Sequence, residues 1–232
     1  LTGPSSKEAI AAGLATAEWY HSDVDRKTLK ALMKRRDEPA IRDTILWVVL
    51  LIATAISAVS LWGSWWAVLF WLAYGVLYGS ASDSRWHECG HGTAFKTRWM
   101  NDVVYHVASF MVARNPVNWR WSHARHHTDT IIVGRDAEII WMHPVNLVLK
   151  ALAFVGVVDF WNSLKTLSRN AVGVLTPAEK TYIPDSEHSK AIFWARVHVA
   201  IYGATVVVAV WMLVAGFGWQ STIPLLLIGG PR

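Results

Sequence analysis

Cysteine is nearly absent: Cys89 is the only one in 232 residues, which excludes an internal disulfide framework and any CxxC iron–sulfur or zinc-ribbon module within the chain. Charge is scarce as well. Charged residues make up 17% against 53% hydrophobic ones, and no Asp, Glu, Lys or Arg occurs from Thr44 to Ser82 or from Val197 to Pro231. Uncharged runs of 39 and 35 residues are membrane-sized. As one helix the first would reach about 58 Å, roughly twice a hydrocarbon core of about 30 Å, so it reads as a hairpin of two spans. The first 40 residues hold no apolar stretch of the kind a secretory leader needs. Nucleotide loops, flavin motifs, cytochrome-like segments, internal repeats and low-complexity stretches are also missing. The formal charge of +5 reads, in so apolar a chain, as orientation in a membrane rather than as affinity for nucleic acid.

What is present divides the chain into four stretches. Residues 1–43 form an N-terminal arm whose basic cluster (Arg26, Lys27, Lys30, Lys34, Arg35, Arg36 and Arg42) precedes the first apolar run. Residues 44–82 form the hairpin, with spans near Thr44–Leu61 and Trp65–Ser82 and a tryptophan-rich turn at Trp62, Gly63, Trp65 and Trp66 that carries no cation. Residues 83–190 hold eight of the ten histidines. Residues 191–232 supply a third span near His198–Val214, a turn at Gly216–Trp219 and the start of a fourth span at Ile223. The positive-inside rule places the arm and residues 83–190 on the cytoplasmic side. Val103–Ala113 is too short to cross and suits a re-entrant or interfacial helix. Pro144–Leu167, interrupted by Lys150, Asp159 and Lys165, suits an amphipathic helix on the bilayer surface. The expected fold is an all-α integral membrane protein with three full transmembrane helices, the start of a fourth, and a cytoplasmic helical histidine region. A chain that begins at Leu1 and stops a few residues into an apolar helix reads as a fragment.

The histidines carry the chemistry. His87 and His91 frame HECGH; His123, His126 and His127 frame HARHH. On an α-helix, positions i, i+3 and i+4 fall within an arc of about 100°, so each string presents its imidazoles on one face. Five such ligands exceed what one four-coordinate zinc site uses, and a two-metal site is the economical reading. Lone histidines such as His106, His143 and His188 suit packing or surface roles. HECGH also satisfies HExxH, the zinc metalloprotease string with glutamate as general base. That reading needs a third ligand, for which Glu138, Asp136 or His123 could serve, and leaves HARHH without a task.

HECGHGTAF at His87–Phe95 and WSHARHHTDT at Trp121–Thr130 resemble the first two histidine boxes of the membrane-bound fatty acid desaturase superfamily, and the order of two spans, two boxes and further spans resembles it too. The resemblance implies a cytoplasm-facing di-iron centre that activates O2 and removes hydrogens from a fatty acyl chain, with His87, His91, His123, His126 and His127 as iron ligands. Hydroxylases of alkyl, acyl or carotenoid substrates carry similar boxes, so hydroxylation is the nearest alternative and the zinc protease the second. The resemblance also implies a third box, HxxHH, after the fourth span. Since two irons need about eight ligands, the coding sequence is expected to continue past Arg232 and supply it, and this fragment is expected to hold iron weakly and turn over no substrate.

The same conclusion follows from chemistry. Breaking an unactivated C–H bond needs an oxidant made from O2 and electrons, which side chains cannot supply and redox-silent zinc cannot either, so iron is the metal of choice. Asp83, Arg85, Glu88, Arg125 and Asp129 lie beside the histidines in sequence and could orient their N–H groups. Trp119, Trp121 and Trp141 could line an acyl tunnel or anchor at the interface; Arg114 and Arg120 could meet lipid phosphates or an acidic electron donor. The partners expected are a fatty acyl or lipid substrate, the bilayer and a separate ferredoxin- or cytochrome-type protein, in a bacterial inner membrane rather than an organelle membrane.

Overall fold

The computed structural model describes residues 11, 22–81, 85–130, 132, 134–138, 146–154 and 156–229. Asp83, Trp141 and His143 lie outside them. The chain forms two compact units, Leu1–Lys34 and Arg35–Arg232. In the first, α1 (Arg26–Leu32) starts where the Asp25 carboxylate accepts the backbone N–H groups of Lys27 and Thr28 at 2.9 and 3.0 Å, and it buries no residue.

The second unit is helical in all its described elements. Its first helix, α2 (Glu38–Ser60), opens with Pro39 in its first turn, where a missing N–H costs nothing. A tight turn follows, with Gly63 at φ 88°, and α3 (Trp65–Ser80) runs back along α2. Trp47, near the start of α2, donates its indole N–H to the carbonyl of Leu77, near the end of α3, at 2.8 Å, which pins the antiparallel hairpin at its open end. The outer faces of both helices are apolar and exposed, through Ile45, Val49, Ile52 and Ile56 on α2 and Leu69, Leu72 and Val76 on α3. A solvent-facing surface of that composition is built for lipid.

Two helices are long and apolar enough to cross a bilayer, α2 and α10 (Asp185–Val214), and only 17% of the apolar window of each is buried by protein. Their 23 and 30 residues reach about 34 and 45 Å. The 16 residues of α3 reach about 24 Å. Between hairpin and α10 lie α4 (Trp86–Gly90), α5 (Arg98–Met111), α6 (Pro116–Asp129), α7 (Leu147–Phe154), α8 (Val157–Ala171) and α9 (Pro177–Tyr182); α11 (Trp219–Gly229), with Pro224 inside it, packs back on α10. The stretch read as one surface helix is bent by 74° between α7 and α8, at Gly156, whose φ of 79° only glycine adopts freely.

The elements that carry the histidines are held by a few buried polar side chains. Asn101 braces the loop between α4 and α5, accepting the N–H of Phe95 at 3.0 Å and donating to the carbonyls of Phe95 and Thr97 at 2.9 and 3.3 Å. Asn115 caps α6 through the N–H groups of Val117 and Asn118 and donates to the carbonyl of Ala191 on α10 at 2.8 Å. The buried Glu179 carboxylate completes a capping box with Thr176 and also accepts from Asn118, Asn170 and Arg169. One carboxylate thus joins α6, α8 and α9.

Candidate metal centre

Each histidine string sits where local sequence stops or starts a helix. The five-residue α4 ends with His91 as its C-cap, because Gly92 takes a left-handed φ of 67° and the N–H groups of Gly92 and Thr93 turn back to the carbonyls of Cys89 and Glu88, a closure that glycine makes cheap. His87 and His91 therefore flank one helical turn. Gly90 between them has a separate reason to lack a side chain: a Cβ there would lie 2.4 Å from Trp119 and 3.1 Å from Tyr105. Glycine lets α4 settle on the Trp119 ring of α6, and that approach brings the two strings together.

Four of the five histidines converge. His87, His91, His123 and His127 each offer a ring nitrogen within 4.8 Å of the others. The Nε2 atoms of His91, His123 and His127 form a triangle with sides of 3.1, 3.1 and 3.2 Å. The Nδ1 of His123 lies 3.0 and 3.1 Å from the carboxylate oxygens of Glu138, so that nitrogen carries the proton and Nε2 presents a lone pair. Three imidazole nitrogens cannot all hydrogen-bond to one another, whereas one ion at about 2.1 Å from each caps a triangle of this size. The donor set fits a metal. Trp119 stacks on His123 at 4.3 Å with 14° between the rings and fixes the ring plane from the other side.

His126 stands apart from this group. Its Nδ1 lies 2.9 and 3.1 Å from the carboxylate of buried Asp136, which leaves its Nε2 lone pair directed away in the same manner as that of His123. A carboxylate on the far nitrogen of a histidine is the usual support of a metal-binding imidazole. Burial, followed by the repulsion of His87 and His127, holds His91 below the ordinary histidine range. Burial also lowers His123 against the pull of Glu138. Both are thereby kept in the neutral form that ligates. Burial pushes the Cys89 thiol up to about 11, so the lone cysteine stays protonated.

The charged neighbours singled out by sequence engage other groups. Arg85 reaches the carbonyl of Asp43 at 3.3 Å and lies over Trp47. Glu88 accepts from the Thr93 hydroxyl at 3.3 Å, Arg125 donates to Thr181 at 2.8 Å and Asp129 accepts from Arg135 at 2.9 Å. The carboxylates on the histidines are Glu138 and Asp136, residues that sequence reasoning nominated only as a third protease ligand. No spacing rule points to them, 15 and 10 positions from their partners and beyond the end of α6. His106 stacks on Trp194 at 4.1 Å and His198 meets Phe110 edge-on.

Helices whose apolar faces look outward, beside a cluster of four converging imidazoles, define a helical membrane protein with a histidine centre of metal-ligand geometry. The chain belongs to the fatty acid desaturase family, whose model matches residues 63–231, more than half of its length. It is 35% identical over 71 residues to an acyl-lipid (9+3)-(E)-desaturase of Dimorphotheca sinuata (29% of this chain, 19% of that protein). It is 30% identical over 89 residues to the sn-1 acyl-lipid omega-3 desaturase (ferredoxin) of Nostoc sp. strain 36 (38% and 24%). A Delta(12) fatty acid desaturase of Caenorhabditis elegans is 32% identical over 78 residues (34% and 21%). The chain spans about a fifth to a quarter of the length of these curated relatives. No solved structure matches it.

Proposed function

We propose that this chain carries the histidine centre of an O2-dependent acyl-lipid desaturase, and that the centre holds iron. The observation that carries the reading is the convergence of His87, His91, His123 and His127 from two separate helices, with His123 and His126 each held by a carboxylate. Family membership and the acyl-lipid desaturases among its relatives support the substrate class. The four-histidine group would hold one ion, and His126 would turn its free Nε2 to a second. Iron so held supplies the oxidising power that O2 and electrons generate and that side chains lack.

The residues themselves bind and orient. Glu138 and Asp136 keep His123 and His126 in the Nδ1–H tautomer, Trp119 prevents His123 from rotating, and Gly90 lets the two strings meet. Electrons come from a separate redox protein, in keeping with the ferredoxin in the name of the Nostoc relative. The N-terminus and the histidine region face the cytoplasm of a bacterial cell, a reading supported by the cations before α2 and the cation-free turn after it. Besides α2 and α10, we read α3 as crossing and α11 as the start of a further span. The protease reading loses its footing, because the centre draws on both strings.

Cobalt(II) titration of the purified chain tests the centre: the absorption bands of a histidine-bound ion are expected, and His123→Ala should remove them. Lipid analysis after aerobic expression of the complete coding sequence tests the reaction. A new double bond that disappears in His126→Ala is expected; an alcohol would indicate hydroxylation, and peptide cleavage without oxygen, tolerant of His126→Ala, would overturn the assignment.

A further inference from the structure

A cavity of about 370 Å3 opens beside the histidine centre, walled by His91, an exposed member of the cluster, and by Arg35, Lys96, Arg98, Arg120 and Asp102. Four cations there face one carboxylate. Asp102 is engaged by Arg120 at 3.2 Å, whose guanidinium also lies 4.5 Å over the Tyr105 ring. Arg35 donates to the Gly92 carbonyl at 2.9 Å. Two further carboxylates act on this wall from outside it. Asp37 attracts Lys96 while it accepts the N–H and hydroxyl of Thr97, and Glu88 acts on His91 but lines a separate cavity with Arg85. Arg35, Lys96 and Arg98 remain exposed and make no ion pair among the described residues. Like charges gathered round one concavity repel each other and favour an anionic partner.

The orientation of α5 decides between a lipid and a protein as that partner. Its exposed apolar residues, Trp99, Val103 and Val107, are centred about 150° round the helix from Arg98, Asn101 and Asp102, which line the cavity. A bilayer surface takes the apolar stripe. The cavity then opens away from the lipid, toward water, where a soluble protein arrives.

We propose that this cavity is the docking site of an acidic redox protein, which places its iron group against His91. This deepens the oxidase reading and rests on it for calling the partner an electron donor. His91 belongs both to the cavity wall and to the converging histidines, so one imidazole lies between the docked protein and the centre. The electron balance calls for such a partner. Removing two hydrogens from an acyl chain yields two electrons, whereas reducing O2 to two waters takes four; the donor supplies the other two, one at a time, and solvent supplies two protons.

Thermophoresis on the whole chain in nonionic detergent measures the binding. The probes are a plant-type ferredoxin and a soluble b-type cytochrome domain, both acidic, with basic cytochrome c and dihexanoylphosphatidylglycerol for comparison. At least one acidic protein is expected to bind about tenfold or more tightly than cytochrome c at low salt, and to weaken steeply as salt rises. Arg98→Glu should weaken that binding about tenfold, and a glutamate at the first position of α5 suits the helix dipole, so the fold tolerates it. Lys96→Glu should act in the same way. Lys165→Glu, at an exposed cation of α8 outside the cavity, should change nothing. EPR reads the position: cobalt(II) in the histidine centre should speed the relaxation of the docked protein's paramagnetic iron group, and diamagnetic zinc(II) should not. Failure of both acidic proteins to bind, equal binding of cytochrome c, indifference to both cavity variants, equal weakening by Lys165→Glu, or identical relaxation with cobalt and zinc would each overturn the proposal. Phosphatidylglycerol that displaces the acidic proteins and is itself lost in Arg98→Glu would assign the cavity to lipid instead. Any of these results with cobalt binding intact removes the docking site alone; loss of cobalt binding by the wild type removes the oxidase reading.

Discussion

At the scale of single residues, the centre depends on one missing methyl group. A Cβ at position 90 would press on Trp119 and Tyr105, and Trp119 is the ring against which His123 stacks. Gly90→Ala is therefore expected to destabilise the fold by about 1–3 kcal/mol, the usual range for overpacking. It should also weaken cobalt binding, because the two histidine strings are pushed apart. Equal cobalt affinity in wild type and variant, measured by titration, would contradict that coupling. Glu138 acts through a different atom, the Nδ1 proton of His123. Replacing it with Gln keeps the shape and removes the charge that favours the right tautomer, and loss of such a partner typically weakens metal binding about 10–100-fold. The Glu138→Gln variant should fall in that range with its melting temperature nearly unchanged.

At the scale of elements, the α6 helix is aimed from its N-terminal end by polar side chains that no metal would touch. Asn115 fixes its start to α10 and Glu179 joins its first turn to α8 and α9. A second tie concerns the junction between α2 and the loop after the first string. The Asp37 carboxylate accepts the Thr97 N–H at 2.8 Å and the Thr97 hydroxyl at 2.6 Å, and those bonds hold it below its ordinary value of 3.8. Because the folded pKa lies below the unfolded one, the tie contributes in full above pH 3.8 and is lost as pH falls through the folded value. An Asp37→Asn variant should melt below the wild type by a constant margin from pH 7 to about 5, and the margin should close under more acidic conditions. Thermal melts across pH check this; a margin that widens with acid would show that another group governs the junction.

At the scale of the whole molecule, the placement of the centre relative to the bilayer decides which molecules reach it. The cations ahead of α2 and the cation-free tryptophan turn after it predict that reporter fusions near Gly63 or Gly218 give the non-cytoplasmic signal, and one near Gly134 the cytoplasmic signal. A non-cytoplasmic report at Gly134 would reverse the orientation. His91 and His127 are the exposed members of the cluster and His123 the buried one.

The sequence by itself determined the helical membrane class, the two ends of the hairpin turn and the identity of the histidines, because uncharged length and 3.6-residue spacing are local properties that the chain carries wherever it goes. It also indicated why HECGH and HARHH belong together, through the number of ligands a redox metal needs. Tertiary structure alone decided that four histidines converge while His126 is paired with Asp136. It alone decided that Glu138 supports His123, and that Arg85, Arg125 and Asp129 turn to Asp43, Thr181 and Arg135. The bend at Gly156 and the role of Gly90 were likewise illegible in the chain. Each of these depends on which side chain from a distant element fills the neighbouring space. A charge next to a ligand in sequence points round the helix by 100° per residue, while the carboxylate that reaches the imidazole comes from wherever the following loop returns.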